Sequence, residues 1–298
     1  MNNSVKSTVD LSKLMAMPPH VLKRFILSRS KAYKVFKIRK KSGKGFRTIA
    51  APNSALKGIQ RWINVFILQD IGLHPCSTGF RKGDSILKNA KIHVGSDFVL
   101  NIDIKDFFGT VSSREVFRQF RLAGFNKDVA DSLAKLTTFH GVLPQGAPTS
   151  PLIANLAATK LDRRIFGFCS VRGWKYSRYA DDITISGNGH VSKREEDKIF
   201  EILRSEGFEP NLAKFRVARR GSSQMVTGLT VNSKVAVPRS YRKRIRAIFY
   251  QASIYPEKFQ YRLDELNGYI SFLRQVDPQS TTLGKYQDIA KRLSNLNI

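Results

Sequence analysis

Residues 176–186 read Tyr-Ser-Arg-Tyr-Ala-Asp-Asp-Ile-Thr-Ile-Ser, and this stretch determines the fold that the sequence predicts. Its strand-like alternation is typical of a β-hairpin that carries Asp181 and Asp182 at its tip. An Asp-Asp pair by itself more often caps a helix or faces water. Here the pair interrupts an apolar strand pattern, and Asp103 directly follows another apolar strand candidate, residues 98–102. Carboxylates are unexpected in or directly beside apolar strands, and here they occur at two such places. This departure from the usual pattern indicates a site in which the three carboxylates converge.

The segments around the hairpin predict a mixed α/β unit. A helix start is expected at 112–115, helices at 127–138 and 191–207, and strands near 215–217 and 226–231. The order strand, helices, hairpin, helix, strands is close to a ferredoxin-like split βαβ layout. That layout places the end of the first strand beside the hairpin tip, so Asp103 can approach Asp181.

Converging carboxylates suit the growth of a nucleic-acid strand. When a 3′-hydroxyl attacks an α-phosphate, two divalent ions about 3.5–4 Å apart can bind both oxygens of the in-line displacement. Mg²⁺ usually takes one or two carboxylates plus substrate phosphates, and Mn²⁺ shares its preference for oxygen. Two bare carboxylates about 4 Å apart repel by roughly 4 kcal/mol, so a cation is expected nearby.

Composition independently indicates a polyanionic partner. The 298 residues include 51 Lys and Arg against 23 Asp and Glu, a net charge of +28. Nucleic acid and anionic membrane both qualify, but no apolar run approaches the roughly 18 residues of a spanning helix, which favours nucleic acid. The first twenty residues lack the apolar core of a signal peptide, and Cys76 and Cys169 form no CxxC pair. We therefore expect a cytoplasmic protein with reduced thiols and no zinc site.

Two dense basic patches are predicted to contact nucleic acid, although a solvated surface is the ordinary explanation for a charge run. The first lies on a strand expected to end at the Ser42-Gly43 turn, and the second opens a helix after Pro238. Their members are Lys31, Lys34, Lys37, Arg39, Lys40, Lys41, Lys44 and Arg47, and then Arg239, Arg242, Lys243, Arg244 and Arg246.

Three motifs in register resemble those of the reverse transcriptases. Residues 179–182 (Tyr-Ala-Asp-Asp) resemble their catalytic hairpin, and residues 101–108 (Asn-Ile-Asp-Ile-Lys-Asp-Phe-Phe) the strand with the first metal-binding aspartate. Residues 143–151 (Leu-Pro-Gln-Gly-Ala-Pro-Thr-Ser-Pro) resemble the segment that holds the incoming nucleotide, with Ala147 in place of the more usual serine. The resemblance covers about residues 33–237 and implies a polymerase right hand of the α+β class. It divides the chain into an N-terminal segment with fingers (1–95), a ferredoxin-like palm with a fingers insertion (96–237) and a helical thumb (238–298).

The resemblance also implies the role of each site residue. Asp103, Asp181 and Asp182 would hold two Mg²⁺ ions, or Mn²⁺, with Asp182 the looser ligand. Phe108 would block a ribose 2′-hydroxyl and so favour dNTPs; the less favoured alternative is an ordinary core aromatic. The remaining nucleotide-binding residues would be Arg47 and Lys44 on the triphosphate, Gln145 and Gly146 in the pocket, and Lys214 as proton donor to pyrophosphate.

Two further elements resemble those of bacterial retron reverse transcriptases. They are Asn89-Ala-Lys-Ile-His93 (NAxxH) and Val226-Thr227-Gly228 (VTG), which we predict, together with the basic run 239–246, to bind RNA. A retron enzyme would copy one cognate structured noncoding RNA from the 2′-hydroxyl of an internal guanosine. Its product would be branched, RNA-linked multicopy single-stranded DNA (msDNA), trimmed by a host RNase H. Such systems act in antiphage defence with a neighbouring effector protein.

Two alternatives stay open at this point. The chain could be a reverse transcriptase of another bacterial lineage, diversity-generating or CRISPR-associated, against which the paired NAxxH and VTG elements count. It could also be an RNA-binding scaffold without chemistry, although such a protein should have lost its carboxylates or the Gln-Gly loop.

Overall fold

The structure is a computed structural model that describes residues 5–40, 43 and 45–295. In chain order its helices are α1 (Thr8–Leu14), α2 (Pro19–Ser28), α3 (Ser54–Ile63), α4 (Ile86–Ile92), α5 (Phe107–Thr110), α6 (Ser113–Leu122), α7 (Lys127–Thr137), α8 (Ser150–Ala157), α9 (Thr159–Ser170), α10 (Lys193–Ser205), α11 (Arg239–Ile254), α12 (Leu263–Val276) and α13 (Thr282–Asn295). The strands are β1 (Tyr33–Arg39), β2 (Phe46–Pro52), β3 (Phe98–Asp103), β4 (Lys175–Tyr179), β5 (Asp182–Gly187), β6 (Arg216–Arg219), β7 (Met225–Val226) and β8 (Leu229–Thr230).

The central sheet has the predicted topology. Its four strands lie in the order β4-β5-β3-β6, and each neighbouring pair is antiparallel. Helices separate β3 from β4, and α10 separates β5 from β6, which is the ferredoxin-like arrangement. The hairpin of β4 and β5 forms as predicted. The register of β3 with β5 sets Asp103 directly opposite Asp182.

Polar caps begin the helices that surround the sheet. Ser112 accepts a hydrogen bond from the Glu115 amide at the start of α6, as its sequence predicts. Asn126 caps α7 in the same way, and Ser192 and Glu195 form a reciprocal capping box on α10. These side chains satisfy amides that have no partner within the first turn of a helix, which explains why the helix starts were predictable.

The strand expected at residues 226–231 is in fact a short hairpin. The chain turns at Thr227 and Gly228, whose φ angles of 46° and 83° lie in the left-handed region. A continuous strand cannot contain such angles, so β7 and β8 have two residues each and pair with one another.

The N-terminal basic strand also forms a hairpin, β1 with β2, in which Arg47 lies opposite Ile38. The hairpin turns through Gly43, at a φ of 73°. Lys41 of the first basic patch and Lys44, predicted to bind nucleotide, lie outside the described residues. Residues Val35, Phe36, Ile38 and Phe46 are exposed on this hairpin, so it projects into solvent with basic and apolar side chains together.

Two apolar cores support these elements. The first lies between the central sheet and its helices and includes Leu100, Ile183 and Ile199. The second is built mainly by α11, α12 and α13, where the Phe249 and Tyr286 rings stack at 4.2 Å. The sequence predicted at least two amphipathic helices there, and the structure has three. In the part of the chain that is described, no helix has the length and apolar character needed to cross a membrane.

Candidate active site

Three carboxylates meet at one end of the central sheet. Asp103 is the last residue of β3 and Asp182 the first of β5, and the two are paired across the strands. Asp181 lies in the turn between β4 and β5, where its carbonyl accepts a hydrogen bond of 2.8 Å from the Ile104 amide. The structure therefore brings together the three aspartates that the sequence singled out.

Two side chains after α10 bind Asp103. Lys214 Nζ donates to Asp103 Oδ1 at 2.6 Å, and Asn211 Nδ2 donates to Asp103 Oδ2 at 2.9 Å. The Asn211 amide also bonds the Asp103 carbonyl at 2.8 Å. Lys214 was predicted to belong to the site, but Asn211 was missed. Its only sequence signal is its place in the loop before Lys214.

The carboxylates perturb one another. Partial desolvation, and then repulsion from Asp181 and Asp103, raises the pKa of Asp182 to about 6, although part of this side chain remains exposed. Desolvation and the charge of Asp103 also raise the pKa of Asp181, while Lys214 and Arg47 act in the opposite direction. The hydrogen bond to Asp103 raises the pKa of Lys214. The site thus holds more negative charge than its basic neighbours neutralise, which is the condition for attracting a cation.

The donor set fits divalent ions that are shared with a substrate. Carboxylate oxygens are the ligands that Mg²⁺ and Mn²⁺ prefer. Within residues 5–40, 43 and 45–295, no group of three His, Cys, Asp or Glu side chains is arranged so that it could hold a metal ion by itself. An open set of carboxylates is what a site needs when substrate phosphates supply the remaining ligands.

The turn that carries Asp181 is strained and tightly packed. Ala180 has a φ of 59°, in the left-handed region that residues with a Cβ rarely adopt. Gly79 lies directly against this turn, because a Cβ on Gly79 would be 2.6 Å from the Ala180 nitrogen. Gly79 was not singled out from the sequence, where it resembles any loop glycine.

Gln145 and Gly146, which were predicted to bind nucleotide, pack against β2, the strand that carries Arg47. The Gln145 carbonyl accepts a 2.9 Å hydrogen bond from the Ala50 amide, which joins the Gln-Gly loop to β2. Gly146 has a φ of 129°, and a Cβ there would be 2.9 Å from the Ala50 carbonyl oxygen, so only glycine fits without a shift. Arg47, on the same strand, is close enough to influence the pKa of Asp181. Phe108 is half-buried on α5, with its ring 6.5 Å from that of Phe80.

The structure corrects the prediction that Asn89 and His93 contact RNA. Both side chains are fully buried. His93 joins the two strands of the hairpin, since its ring nitrogens lie 2.8 Å from the hydroxyls of Ser186 and Ser177. Asn89 accepts a hydrogen bond of 2.8 Å from the Thr78 hydroxyl. The NAxxH element therefore supports the palm sheet from within the protein.

The VTG element packs against the same helix. Val226 is buried, which excludes it too as an RNA contact, and the Thr227 hydroxyl donates to the Ile86 carbonyl at 3.0 Å on α4. Gly228 remains exposed, as do the five basic residues of α11, which are Arg239, Arg242, Lys243, Arg244 and Arg246. Of the predicted RNA-binding residues, those on α11 offer the larger accessible surface.

Comparisons of sequence with known proteins identify the family of this chain. The family described as reverse transcriptase (RNA-dependent DNA polymerase) matches residues 38–255. The chain is 37% identical over 274 residues to the Ec86 retron reverse transcriptase of Escherichia coli, covering 91% of this chain and 85% of the relative. It is 33% identical over 293 residues to the Mx65 retron reverse transcriptase of Myxococcus xanthus, covering 91% and 68%. Among solved structures, Candida albicans telomerase in complex with a fragment of telomeric RNA matches at a TM-score of 0.46 and 10% identity, covering 92% of this chain and 67% of that one.

Proposed function

The chain belongs to the bacterial retron reverse transcriptases, RNA-directed DNA polymerases, and from that premise we propose that it makes msDNA from one cognate structured noncoding RNA. Synthesis would begin at the 2′-hydroxyl of a guanosine within that RNA, so that the DNA stays covalently joined to its template molecule. The observation that carries the catalytic part of the proposal is the meeting of Asp103, Asp181 and Asp182 at one end of the sheet.

We propose that these aspartates hold two divalent ions. When bound, such ions activate the attacking hydroxyl and neutralise the leaving pyrophosphate. Asp103 and Asp181 would be the principal ligands and Asp182 the looser one. Asn211, which bonds both the side chain and the backbone of Asp103, would keep that carboxylate directed into the site.

The surrounding residues would select and orient the nucleotide. Arg47 would bind the triphosphate, for which a guanidinium fork is well suited. Gln145 and Gly146 would line the pocket, and Phe108 would exclude a ribose 2′-hydroxyl. Lys214 would protonate the pyrophosphate, and its raised pKa is consistent with a lysine that stays charged until it is needed.

The parts of the right hand are assigned on the same basis. We infer fingers within residues 1–95, a palm at 96–237 and a thumb at 238–298. The second apolar core supports the thumb, because α11, α12 and α13 build most of it, although Val226 and Leu229 share it. The exposed basic face of α11 would bind RNA through phosphates and 2′-hydroxyls, as duplex RNA is usually recognised.

In the cell, the enzyme would act in the cytoplasm, where its RNA is made. A host RNase H would trim the copied template, and an effector protein encoded nearby would couple the complex to antiphage defence. The retron assignment supports these proposed partners.

The test is to express the enzyme with its flanking noncoding sequence, beside an Asp181→Asn/Asp182→Asn variant, and to extract small nucleic acids. We expect DNA joined to RNA by a 2′,5′ branch, formed only with intact aspartates. Extension of an ordinary primer on RNA without any branched product would indicate a polymerase of another lineage. Tight RNA binding with neither product would indicate a scaffold.

A further inference from the structure

An ion pair is buried beneath the turn that carries Asp181. Arg178 on β4 and Asp162 on α9 are both fully shielded from solvent. The guanidinium binds the carboxylate with two hydrogen bonds, Nε to Oδ1 at 2.8 Å and Nη2 to Oδ2 at 2.6 Å. The Tyr176 hydroxyl also donates to Asp162 Oδ1, at 2.6 Å. Burying two charges is costly, and a buried pair is weak evidence of a stabilising role, so this one requires another explanation.

The third nitrogen of the guanidinium reaches the turn itself. Arg178 Nη1 donates to the Ala180 carbonyl at 2.9 Å and to Asn155 Oδ1 at 2.8 Å. Ala180 is the residue immediately before Asp181. Asp162 holds the other side of the guanidinium, so the bond to the turn has a fixed direction.

Asn155 connects the same guanidinium to the opposite side of the turn. Its Nδ2 donates to the Gly79 carbonyl at 2.7 Å. Gly79 in turn packs against the Ala180 amide so closely that no Cβ fits between them. The turn is therefore held at the Ala180 carbonyl by Arg178 and at the Ala180 nitrogen by Gly79, and Asn155 links the two supports.

The turn needs such support for two reasons. Ala180 has a φ of 59°, and a non-glycine residue in a sparsely populated conformation costs about 1–3 kcal/mol unless its surroundings impose it. Asp181 and Asp182 follow directly, and their mutual repulsion favours any movement that separates them. A turn left to itself would relax both the strain and the repulsion.

We propose that Arg178 is a positioning residue for the reaction, which holds the Ala180 turn so that Asp181 and Asp182 face Asp103. Asp162 and Asn155 fix the guanidinium for this purpose. The inference rests on the proposed metal-binding role of the aspartates. Arg178 itself touches neither metal nor substrate in this scheme and acts only through the turn.

Arg178→Lys is the most informative change. A lysine keeps the positive charge beside Asp162, but a single ammonium cannot replace a planar fork that binds Asp162, Asn155 and the Ala180 carbonyl at once. Asn155→Ala is the second variant. It leaves the ion pair with Asp162 intact and removes two hydrogen bonds, the one that Asn155 accepts from Arg178 Nη1 and the one that it donates to the Gly79 carbonyl. Gln224→Met is the matched control, because Gln224 is equally buried and donates to the Ser96 carbonyl at 2.9 Å, away from the turn.

The measurement is Mn²⁺ binding, followed by the loss of the free-ion electron paramagnetic resonance signal with a non-extendable primer–template and dNTP present. Steady-state kcat and KM for dNTP and a melting temperature accompany it. We expect Arg178→Lys to weaken Mn²⁺ binding about tenfold to a hundredfold, the range for groups that orient metal ligands. Its kcat should fall while KM changes little, and Asn155→Ala should show a smaller effect of the same kind. Gln224→Met should bind Mn²⁺ like the wild type.

Unchanged Mn²⁺ binding and kcat in a folded Arg178→Lys protein would overturn the inference. If the Arg178→Lys protein does not fold, the Asn155→Ala protein provides the test. Mn²⁺ binding by Asn155→Ala equal to that of the wild type would then overturn the inference. The Asp181→Asn/Asp182→Asn protein tests the premise separately. If it binds Mn²⁺ as well as the wild type, the proposed function has failed, whatever Arg178 does.

Discussion

Mild acid should destabilise the palm sheet through His93. The imidazole is completely buried between the hydroxyls of Ser186 and Ser177, which it bridges across the two strands of the β4–β5 hairpin. Burial, with a smaller contribution from Lys175, lowers the pKa of His93 from 6.5 to about 3. Between these two pKa values the folded protein therefore keeps the ring neutral, while the unfolded chain protonates it.

The sign and size follow from proton linkage. Between the folded and unfolded pKa values the unfolded state binds the extra proton, so stability is complete above the unfolded value and is lost as the pH falls below it. One proton corresponds to about 1.4 kcal/mol per pH unit. Lowering the pH from about 7.5 to about 5.5 should thus cost about 1.4 kcal/mol from His93 alone, because protonation of the unfolded chain begins only near 6.5.

A His93→Gln protein isolates this contribution. It lacks the titrating ring but keeps every other ionisable group, including Asp181 and Asp182. Those two carboxyls have raised pKa values and act in the opposite direction, because they take up protons more readily in the folded state. Their effects cancel when the free energies of unfolding of the two proteins are subtracted at each pH.

Urea unfolding followed by Trp174 fluorescence is a suitable assay. In a Trp62→Phe background, Trp174 reports the sheet directly, because its ring packs at 5.0 Å on Phe98 of β3. The excess stability of the wild type over His93→Gln should shrink by about 1.4 kcal/mol between about pH 7.5 and about pH 5.5. A difference that stays constant, or grows in acid, would refute the neutral buried state of His93.

Three further predictions concern catalysis. Gly79→Ala should lower kcat about tenfold or more, because the new Cβ would be 2.6 Å from the Ala180 nitrogen and must displace the turn. Circular dichroism should show an intact fold. A wild-type kcat would show that the turn tolerates displacement. Phe108→Ala should raise incorporation of NTPs relative to dNTPs about tenfold or more on an RNA template, and an unchanged ratio would mean that Phe108 is only a core aromatic. Asn211→Ala should raise the Mg²⁺ concentration for half-maximal activity about tenfold, since Asp103 Oδ2 loses its hydrogen-bond donor at 2.9 Å. A Mg²⁺ concentration equal to that of the wild type would show that Asn211 does not orient Asp103.

The sequence predicted the sheet well because its strands follow simple local rules. The segments that became β3 and β5 are apolar and end or begin at a charge, and the caps of α6, α7 and α10 identify the helix starts. The hairpin of β7 and β8 was read as one strand, since nothing about Thr227 shows that it adopts a left-handed φ. That conformation depends on tertiary contact with α4, where the Thr227 hydroxyl donates a hydrogen bond to the Ile86 carbonyl.

The candidate site residues were predictable only where a charged residue interrupts or directly follows an apolar strand pattern. Asp103, Asp181 and Asp182 were found because carboxylates are unexpected at apolar strands. Arg178 was missed, because an arginine in an alternating strand looks like an ordinary solvent-facing residue. The available signal was its partner: Asp162 lies on the same face of α9 as Leu161, Ile165 and Cys169, where an acid should have a buried counterion.

The NAxxH element shows that a recognised motif does not predict which way its side chains face. The element lies beside the hairpin of β4 and β5, but its spacing could not reveal whether Asn89 and His93 face outward or inward. Their orientation depends on α4 packing against β4, a contact between segments distant in sequence. A motif identifies a family before it identifies what each residue touches, which is why these two side chains were assigned to RNA.

Lys214 connects the resting site to the proposed reaction. Its ammonium lies 2.6 Å from Asp103 Oδ1 and supplies the cation that clustered carboxylates need, yet most of its side chain is exposed and free to move. On the proposed function, a divalent ion held by Asp103 would repel the Lys214 ammonium, because both are cations beside the same carboxylate. Occupation of the site would release the ammonium near the departing pyrophosphate. Release would also break the hydrogen bond to Asp103 that contributes most to the raised pKa of Lys214, and would leave the ammonium free to donate to the pyrophosphate.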